Sequence, residues 1–451
     1  MAIHIHHHPY TGLLSQLSAH LPQSGPLLRR IQHEANSATP SPTARVLASF
    51  PAGENEDLAI EHAEPWIAAY VDVHRGPDTQ VWVFSSLETR SPAPSTSTPT
   101  GHTIQNGKGN ANITEHQKQI TKAHLLTLFT FIRTDLVPGY LDMLSSQPIA
   151  AHKESEEGVK KIPPHPLASV LLGSVHESTV RLIVELAAEE KTLRVHRGQN
   201  IFYAKYCFPS SSFEHSVHGS DKLRAKESAY TFADCKGVYG VQEHHVRLVK
   251  ARTNIPRSKE ALMAMGGVAL YHRPQEASPT ASISASANGN CDGNGEGEGE
   301  MPIAWAFLGF DGSMCSLHVE PEHRGRGLAV LVGREVMKRG VGEFGSSYDF
   351  AQIKSISNGN GNGNDAATLC SNGGNGVSED IGKSEAEHTS ASSFNGSTGA
   401  APAPAPAADQ DRQEWFFADV AVENTPSRRV MEKMGGEAKW NVAWVVVEVD
   451  I

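Results

Sequence analysis

The sequence predicts an α/β protein built on a mixed α+β sheet, in a chain of 451 residues. Two segments of the second half, 313–339 and 414–436, each run from a short apolar strand pattern into a helix pattern. The first half of the chain alternates strand-like and helix-like runs, which is typical of a separate α/β domain. We therefore expect two domains, over residues 1–220 and 221–451.

The first half is expected to begin with two short helices. Leucines at helical spacing between positions 13 and 21 predict the first, and Pro22 and Pro26 separate it from the second. The later elements are strands over 44–50, 66–74, 80–85 and 200–208 and amphipathic helices over 116–136 and 167–186. The histidines at positions 4, 6, 7 and 8 indicate a floppy terminal tract rather than a metal site.

The second half is expected to follow a link over 221–240 with two helices and then strands. Asp311-Gly312 is a strong two-residue hairpin signal between neighbouring strands. The predicted elements are helices over 241–250 and 258–265, strands over 267–272, 304–310, 314–319 and 414–422, helices from Leu328 and from Asn424, and final strands over 437–440 and 443–449.

A glycine-rich loop joins the strand at 314–319 to the next helix. Pro321 ends the strand, and Arg324-Gly-Arg-Gly327 precedes apolar residues at helical spacing from Leu328. Because the first N–H groups of a helix are unpaired, glycines just before it let the backbone close around an anion. The loop thus predicts a phosphate cradle, with a plain glycine turn or a nucleic-acid-binding RG segment as alternatives.

These residues resemble the GNAT N-acyltransferases. Arg324-x-x-Gly327-x-Ala329 after a strand matches that family's Arg/Gln-x-x-Gly-x-Gly/Ala signature. Downstream, the strand 414–422, the helix opening Asn424–Ser427 and the stop Lys433–Gly436 resemble its fifth strand and following helix, most closely in the glycine-N-acyltransferase-like branch. The resemblance implies a GNAT fold in the second half and a degenerate GNAT-like copy in the first.

The resemblance also implies a site for acetyl-CoA or another acyl-CoA, and no metal. The loop amides would bind the pyrophosphate, the main chain of the preceding strand would pair with the pantetheine arm, and a strand amide would polarise the thioester carbonyl. The implied residues are Leu317, His318, Val319, Arg324, Gly325, Arg326, Gly327, Leu328, Ala329, Asn424 and Ser427. For Asn424, a helix N-cap is an equal alternative.

The sequence departs from the family at both proton-transfer positions. Met431 stands where many relatives have a tyrosine acid, and Ser313 where some have a carboxylate base. The candidate catalytic residues are Asp311, His318, Glu320 and Asn424, of which His318 has a suitable ordinary pKa of about 6.5. Proton removal through water, without a dedicated base, is an alternative. Arg252 and Arg257, in the loop that roofs the acceptor in relatives, are expected either to meet an acidic group or to be surface charges.

Composition excludes several classes of partner. The net charge of −11 is accounted for by residues 276–300 and 356–414, so no basic field favours nucleic acid. No apolar run approaches the length of about 18 residues that spans a membrane, and no secretory signal is visible. The five cysteines lack CxxC spacing, which favours reduced thiols in the cytoplasm, with the nucleus as alternative. The polar segments 275–300 and 356–413 are expected to be disordered insertions.

Two functions follow from these patterns. The first is an N-acyltransferase that moves an acyl group, by default acetyl, from acyl-CoA to a small-molecule amine or amino acid by direct attack in a ternary complex. The second is a coenzyme-A-binding regulatory protein that keeps the fold without efficient catalysis. The intact phosphate loop favours the enzyme, while the absent tyrosine and carboxylate favour the regulatory protein.

Overall fold

The computed structural model describes residues 1–52, 64–76, 78–90, 113–146, 166–214, 229–253, 255, 257–273, 299–345 and 414–449. Thirteen strands of these residues form one mixed sheet, flanked by helices, which confirms the predicted fold class. The insertions expected at 275–300 and 356–413 lie almost entirely outside the described residues.

The strands are β1 (His4–His6), β2 (Arg45–Ala48), β3 (Ile67–Val71), β4 (Val81–Ser85), β5 (Ser169–His176), β6 (Leu193–Arg197), β7 (Tyr203–Pro209), β8 (Tyr230–Thr231), β9 (Gly266–His272), β10 (Ala304–Leu308), β11 (Ser313–Val319), β12 (Trp415–Ala421) and β13 (Glu437–Val449). Their spatial order is β1-β2-β3-β4-β5-β13-β7-β12-β11-β10-β9-β8, and β6 pairs with the C-terminal part of β13.

The α-helices are α1 (Thr11–Ser18), α2 (Gly25–Asn36), α3 (Glu115–Phe131), α4 (Val137–Ser146), α5 (Glu177–Glu189), α6 (Ser211–Glu214), α7 (Val246–Arg252), α8 (Lys259–Ala264), α9 (Leu328–Gly345) and α10 (Thr425–Lys433). A π-helical turn, Ile132–Leu136, joins α3 to α4. The helices predicted over 116–136, 241–250 and 258–265 are therefore present with shifted ends.

The two halves of the chain repeat one strand arrangement. In the first, the antiparallel run β2-β3-β4 is followed by β5, which is parallel to β4. In the second, the antiparallel run β9-β10-β11 is followed by β12, which is parallel to β11. Each parallel contact is short, so in both halves the antiparallel run meets its next strand over only one or two residue pairs.

The halves also exchange a strand. Strand β7, from the first half, pairs with β12 from Tyr203↔Ala421 to Pro209↔Trp415. Strand β13, from the second half, lies between β5 and β7 and pairs with both. Because each half completes its sheet with a strand of the other, the sheet is continuous across the chain. The division into domains 1–220 and 221–451 remains a proposal about sequence organisation.

Apolar cores cover both faces of the sheet. On one face of the first half, α3 and α5 bury Leu128 and Ile183 among strand residues. On the other face, α1 and α2 pack on Tyr70 and Phe84. Successive residues of β3 alternate between these cores, as the strand repeat of two requires. In the second half, α9 packs on β9 to β12 and fixes where the glycine loop emerges.

The helix predicted over 167–186 is wrong at its start. Residues Ser169–His176 form strand β5, and the helix α5 runs from Glu177 to Glu189. Val170, Leu172 and Val175 are buried because β5 is covered by β13, a strand far away in the chain. An apolar run buried by such a partner has no clear period, so helix and strand patterns cannot be distinguished from the run alone.

Two further expectations need correction. The histidine tract is not floppy, because His4–His6 pairs with β2 and the buried ring of His6 bonds through Nε2 to the Phe50 carbonyl at 3.0 Å. The two final strands are one strand, β13, whose irregular register near residues 438–440 and 443–445 lets it pair with three partners. No helix of the described residues is long and apolar enough to cross a membrane.

Candidate functional site

Strands β11 and β12 diverge and open a cavity at the centre of the sheet. They pair only at Ser313↔Phe417 and Met314↔Ala418. Beyond these pairs a cavity of about 420 Å³ is lined by both strands. Its lining includes Leu317 from β11 and Ala421 from β12. A sheet that splits between parallel neighbours exposes strand N–H and C=O groups to whatever enters the gap.

Strand β11 carries a bulge at the cavity. Its pairing with β10 shifts between Cys315↔Phe307 and His318↔Trp305, so two residues face one. Ser316, inside the bulge, has φ +52°, in the left-handed region. A bulge leaves main-chain groups unpaired and bends its strand. Here it bends β11 where the strand lines the cavity.

The glycine loop follows β11 and leads into α9. Gly325 and Gly327 have φ of +75° and +84°, and a Cβ on either would meet open space. The left-handed backbone, rather than crowding, therefore requires glycine at both positions. The carbonyl of Gly327 accepts from the amides of Val330 and Leu331. Within the described chain, the amides of residues 325–329 donate to no backbone carbonyl, so they are available to an anion.

The loop arginines brace the loop. Arg324 Nε donates to the Val319 carbonyl at 2.9 Å. Arg326 donates to Tyr230 Oη at 3.0 Å and to the Glu322 carbonyl at 3.2 Å. Both residues are exposed, so their cationic groups can also face a ligand at the loop. The predicted phosphate cradle thus has the backbone conformation and charge that an anion requires.

Asn424 and Ser427 lie on the opposite wall of the cavity. Asn424 is the N-cap of α10, where its Oδ1 accepts from the Ser427 amide at 3.2 Å. The capping alternative is therefore realised, and both residues also line the cavity. Met431 lines it as well and is 2% exposed. A thioether has no proton to donate, so this position offers no acid.

The structure separates the candidate catalytic residues into two groups. Asp311 lines the cavity, and Ser313 Oγ donates to its carboxylate at 2.9 Å. His318 and Glu320 are not among the described residues that line the cavity. His318 stacks on Trp305 at 4.6 Å between ring centroids, and burial lowers its pKa more than Glu320 raises it. Arg252 holds Glu320 through contacts of 3.0 and 3.2 Å.

Sequence reasoning missed a buried ion pair at the cavity. Asp419 of β12 lies directly opposite Lys205 of β7, and Lys205 Nζ is 2.8 Å from the carboxylate. The two side chains are 6% and 0% exposed. The signal available in the sequence is an acid within the apolar strand Phe416–Val420, since acids are almost never fully buried without a partner.

Two guanidinium groups also line the cavity. Arg75 follows β3 and Arg257 precedes α8, and both line the cavity. The Nε atom of each is buried without a hydrogen-bond partner in the described structure. A buried donor without a partner is costly, so the part of the cavity beside these two arginines is suited to an acidic group. Arg252, by contrast, lines the cavity while engaged with Glu320.

A sheet split between parallel strands, a bulge on one of them and a glycine loop that opens the next helix occur together in this chain, as the resemblance to acyl-CoA N-acyltransferases implies. Residues 1–206 match the model of the family described as the acyl-CoA N-acyltransferase verG N-terminal domain. The resemblance to acyl-CoA N-acyltransferases is thereby confirmed at the level of this N-terminal domain. That match implies an acyl-CoA co-substrate and an amine acceptor, and it does not reach the glycine loop at 324–329.

Other comparisons give less. No curated protein matches the chain. A crystal structure of a Drosophila protein from a structural genomics consortium aligns with 98% of this chain and 97% of its own, at 10% identity and a TM-score of 0.45. In the described residues, no group of three or more histidine, cysteine or acidic side chains could hold a metal ion.

Proposed function

We propose that the protein is an N-acyltransferase that transfers an acyl group, by default acetyl, from acyl-CoA to the amine of a small molecule or amino acid. The amine would attack the thioester directly in a ternary complex. The observation that supports this most is the gap between β11 and β12, together with the unpaired amides of residues 325–329 in the loop that follows β11. Exposed strand backbone in the gap is thus followed, a few residues further along the chain, by amides that can bind an anion.

The coenzyme would lie along that gap. We assign the pyrophosphate to the amides of Gly325, Arg326, Gly327, Leu328 and Ala329, with the charge of Arg324 and the α9 dipole nearby. The pantetheine arm would pair with the main chain of Leu317, His318 and Val319 as an added strand, while Asn424 and Ser427 form the facing wall. The bulge at Ser316 supports this assignment because it unpairs strand backbone beside the reacting carbonyl.

The acceptor would occupy the part of the cavity beside Arg75 and Arg257. A volume of about 420 Å³ lies in the range of small-molecule sites, about 300–1,000 Å³. Arg75 and Arg257 supply donors without partners there, which supports an acceptor that carries a carboxylate. We therefore favour an amino acid or related small amine over a protein tail. The cysteines described, Cys207, Cys235 and Cys315, are free thiols, which supports a cytoplasmic location as part of this proposal.

The experiment is calorimetry with acetyl-CoA followed by thiol-release assays on a panel of small amines, each beside its carboxylate-bearing analogue. Binding with release of free thiol on at least one amine is the expected result. No heat of binding would overturn the coenzyme assignment.

The second candidate, a coenzyme-A-binding regulatory protein, is favoured by Met431, which lines the cavity and cannot supply the acid. Binding without thiol release on any amine would support that candidate.

A further inference from the structure

We propose that Asp419 takes the proton from the attacking amine and that Lys205 is its positioning residue. The inference rests on the proposed acyl transfer and names the base that the sequence pattern leaves open. It is carried by the position of Asp419 in the split sheet, by its partners and by its burial, each of which is independent of the coenzyme loop.

Asp419 stands where the two parallel strands separate. Ala418, the residue before it, forms the last pair of β12 with β11, opposite Met314. Asp419 is therefore the first residue of β12 beyond the paired segment, at the narrow end of the gap, and it lines the cavity. A thioester whose arm pairs with β11 would have its carbonyl near this narrow end. A carboxylate there lies beside the attacking nitrogen.

Lys205 holds this carboxylate from the neighbouring strand. The two residues are directly opposite in the β7–β12 ladder, which fixes their separation through the backbone. Lys205 Nζ also lies 3.5 Å from Ser313 Oγ, and that hydroxyl donates to Asp311 at 2.9 Å. Two cavity carboxylates, Asp419 and Asp311, are thus linked through one ammonium and one hydroxyl. The link is a path by which charge at either carboxylate is felt at the other.

A third contact comes from β5. Ser174 Oγ donates to Asp419 Oδ2 at 3.2 Å, and Ser174 has φ +52°. Strand β5 is irregular here, since its register with β13 shifts between Val175↔Ala443 and Leu172↔Val445. A serine in the left-handed region is strained and persists when its surroundings fix it. Strands β5, β7 and β12 therefore converge on one carboxylate, which is the arrangement of a positioned group.

The stability of the fold does not require the ion pair between Lys205 and Asp419. A buried pair often contributes less stability than apolar residues of the same volume, because both charges lose their hydration. The neighbours of Asp419 along β12 are apolar, from Phe416 to Val420, so an apolar residue would suit the strand. A costly pair that faces a cavity is a candidate for function. Burial also raises the pKa of Asp419, against the lowering effect of Lys205, toward the range useful to a base.

The proposed step balances without further reactants. Asp419 accepts one proton from the amine nitrogen as the N–C bond to the thioester carbonyl forms. The C–S bond then breaks, and coenzyme A leaves as a thiolate. That thiolate takes up one proton, supplied by the protonated Asp419 through water, which restores the carboxylate. The products are the amide and free coenzyme A, and no oxidant or metal is consumed.

The test compares Asp419→Asn with wild type. We expect kcat/KM for the amine to fall about 10²–10⁴-fold, the range of a lost general base, while acetyl-CoA affinity by calorimetry stays within a few-fold. Glu88→Gln, which replaces another buried carboxyl outside the cavity by an amide, is the control and should keep wild-type kcat/KM. Wild-type activity in the Asp419 variant, or loss only in Asp311→Asn, would overturn the inference.

Lys205→Met tests positioning. The charged or titratable groups around Asp419 are Lys205, Asp311, Tyr203, Cys207 and Cys315. Removal of Lys205, the only cation among these five, should raise the Asp419 pKa. The acid limb of the kcat/KM profile should therefore move to higher pH, a shift that a purely structural role would not produce. The double variant Asp419→Asn/Lys205→Met removes both buried charges. It therefore controls for misfolding caused by a buried Lys205 that has lost its carboxylate. Its recovery of activity would refute the proposal, and a wild type that acylates no amine would refute acyl transfer itself.

Discussion

Ser258 Oγ donates a hydrogen bond of 3.0 Å to Asp78 Oδ2. This contact joins the segment after β3 to the segment before α8, and both segments line the cavity. Asp78 lies three residues after Arg75, and Ser258 directly follows Arg257. The hydrogen bond thus brings two cationic side chains from distant parts of the sequence to the cavity. Residues of the first half thereby help to form a cavity whose gap belongs to the second.

Replacement of Arg257 by Gln should weaken binding of carboxylate-bearing amines. The loss of one charge-assisted hydrogen bond of about 1.5–3 kcal/mol raises KM roughly 10- to 100-fold. Neutral amines should change little, and Arg247→Gln, at an exposed position of α7, is the control. The test is the KM measured in steady state for pairs of amines, one member of each pair with a carboxylate and the other without it. An equal loss for both members of a pair would show that Arg257 does not bind the carboxylate.

Replacement of Gly327 by Glu should abolish coenzyme binding while the fold persists. The new carboxylate would stand where the pyrophosphate is assigned and repel it. Gly237→Glu is a close control, because Gly237 also has positive φ, +78°, and a Cβ there would also meet open space. Both variants should carry a similar strain of about 1–2 kcal/mol. Calorimetry with acetyl-CoA should separate them, and equal affinity in the two would contradict the loop assignment.

Replacement of Gly198 by Ala should destabilise the sheet. Gly198 has φ +96°, and a Cβ there would lie 1.8 Å from the Trp444 carbonyl oxygen, a backbone atom of β13. We expect a loss of about 2–4 kcal/mol in the free energy of unfolding. Gly76→Ala, with φ +60° and no neighbour within 4 Å, should cost only about 1–2 kcal/mol. Denaturant midpoints of the two variants test this, and similar midpoints would exclude the close approach.

Glu88 should make stability fall as pH rises. Burial raises its pKa from 4.5 to about 8, although Thr179 and the Ser85 amide both donate to it and lower it. Between these values the unfolded chain has lost the proton and the folded chain keeps it, so stability decreases with increasing pH. Glu88→Gln keeps an acceptor oxygen and should remove this decrease. Thermal unfolding from pH 5 to pH 8 measures the difference, and parallel curves would contradict it.

Local patterns sufficed to predict the segment around the glycine loop. The strand, glycine loop and helix at 313–345 follow from residues adjacent in the chain, as does the capping Asn424 before α10. Gly325 and Gly327 have positive φ, a backbone conformation that glycine adopts readily, so their presence in the sequence already indicates a turn. The loop was therefore predictable, and so was the mixed sheet that surrounds it.

Long-range pairing was not predictable. The sequence pattern predicts a helix where β5 lies, because the burial of β5 depends on β13, which is far away in the chain. The pair Lys205–Asp419 depends on the same exchange, since β7 meets β12 only when the halves share strands. His318 and Glu320 lie beside the motif in sequence, yet the bulge at Ser316 and the contact with Arg252 direct them elsewhere.

The shared strands also constrain how the chain can fold during synthesis. When residues 1–214 emerge from the ribosome, the positions beside β5 and β7 that β13 will occupy still expose backbone donors and acceptors. They remain so until residues 437–449 are made. The two halves must therefore mature together rather than one after the other, and a nascent first half is the stage at which chaperones would matter most.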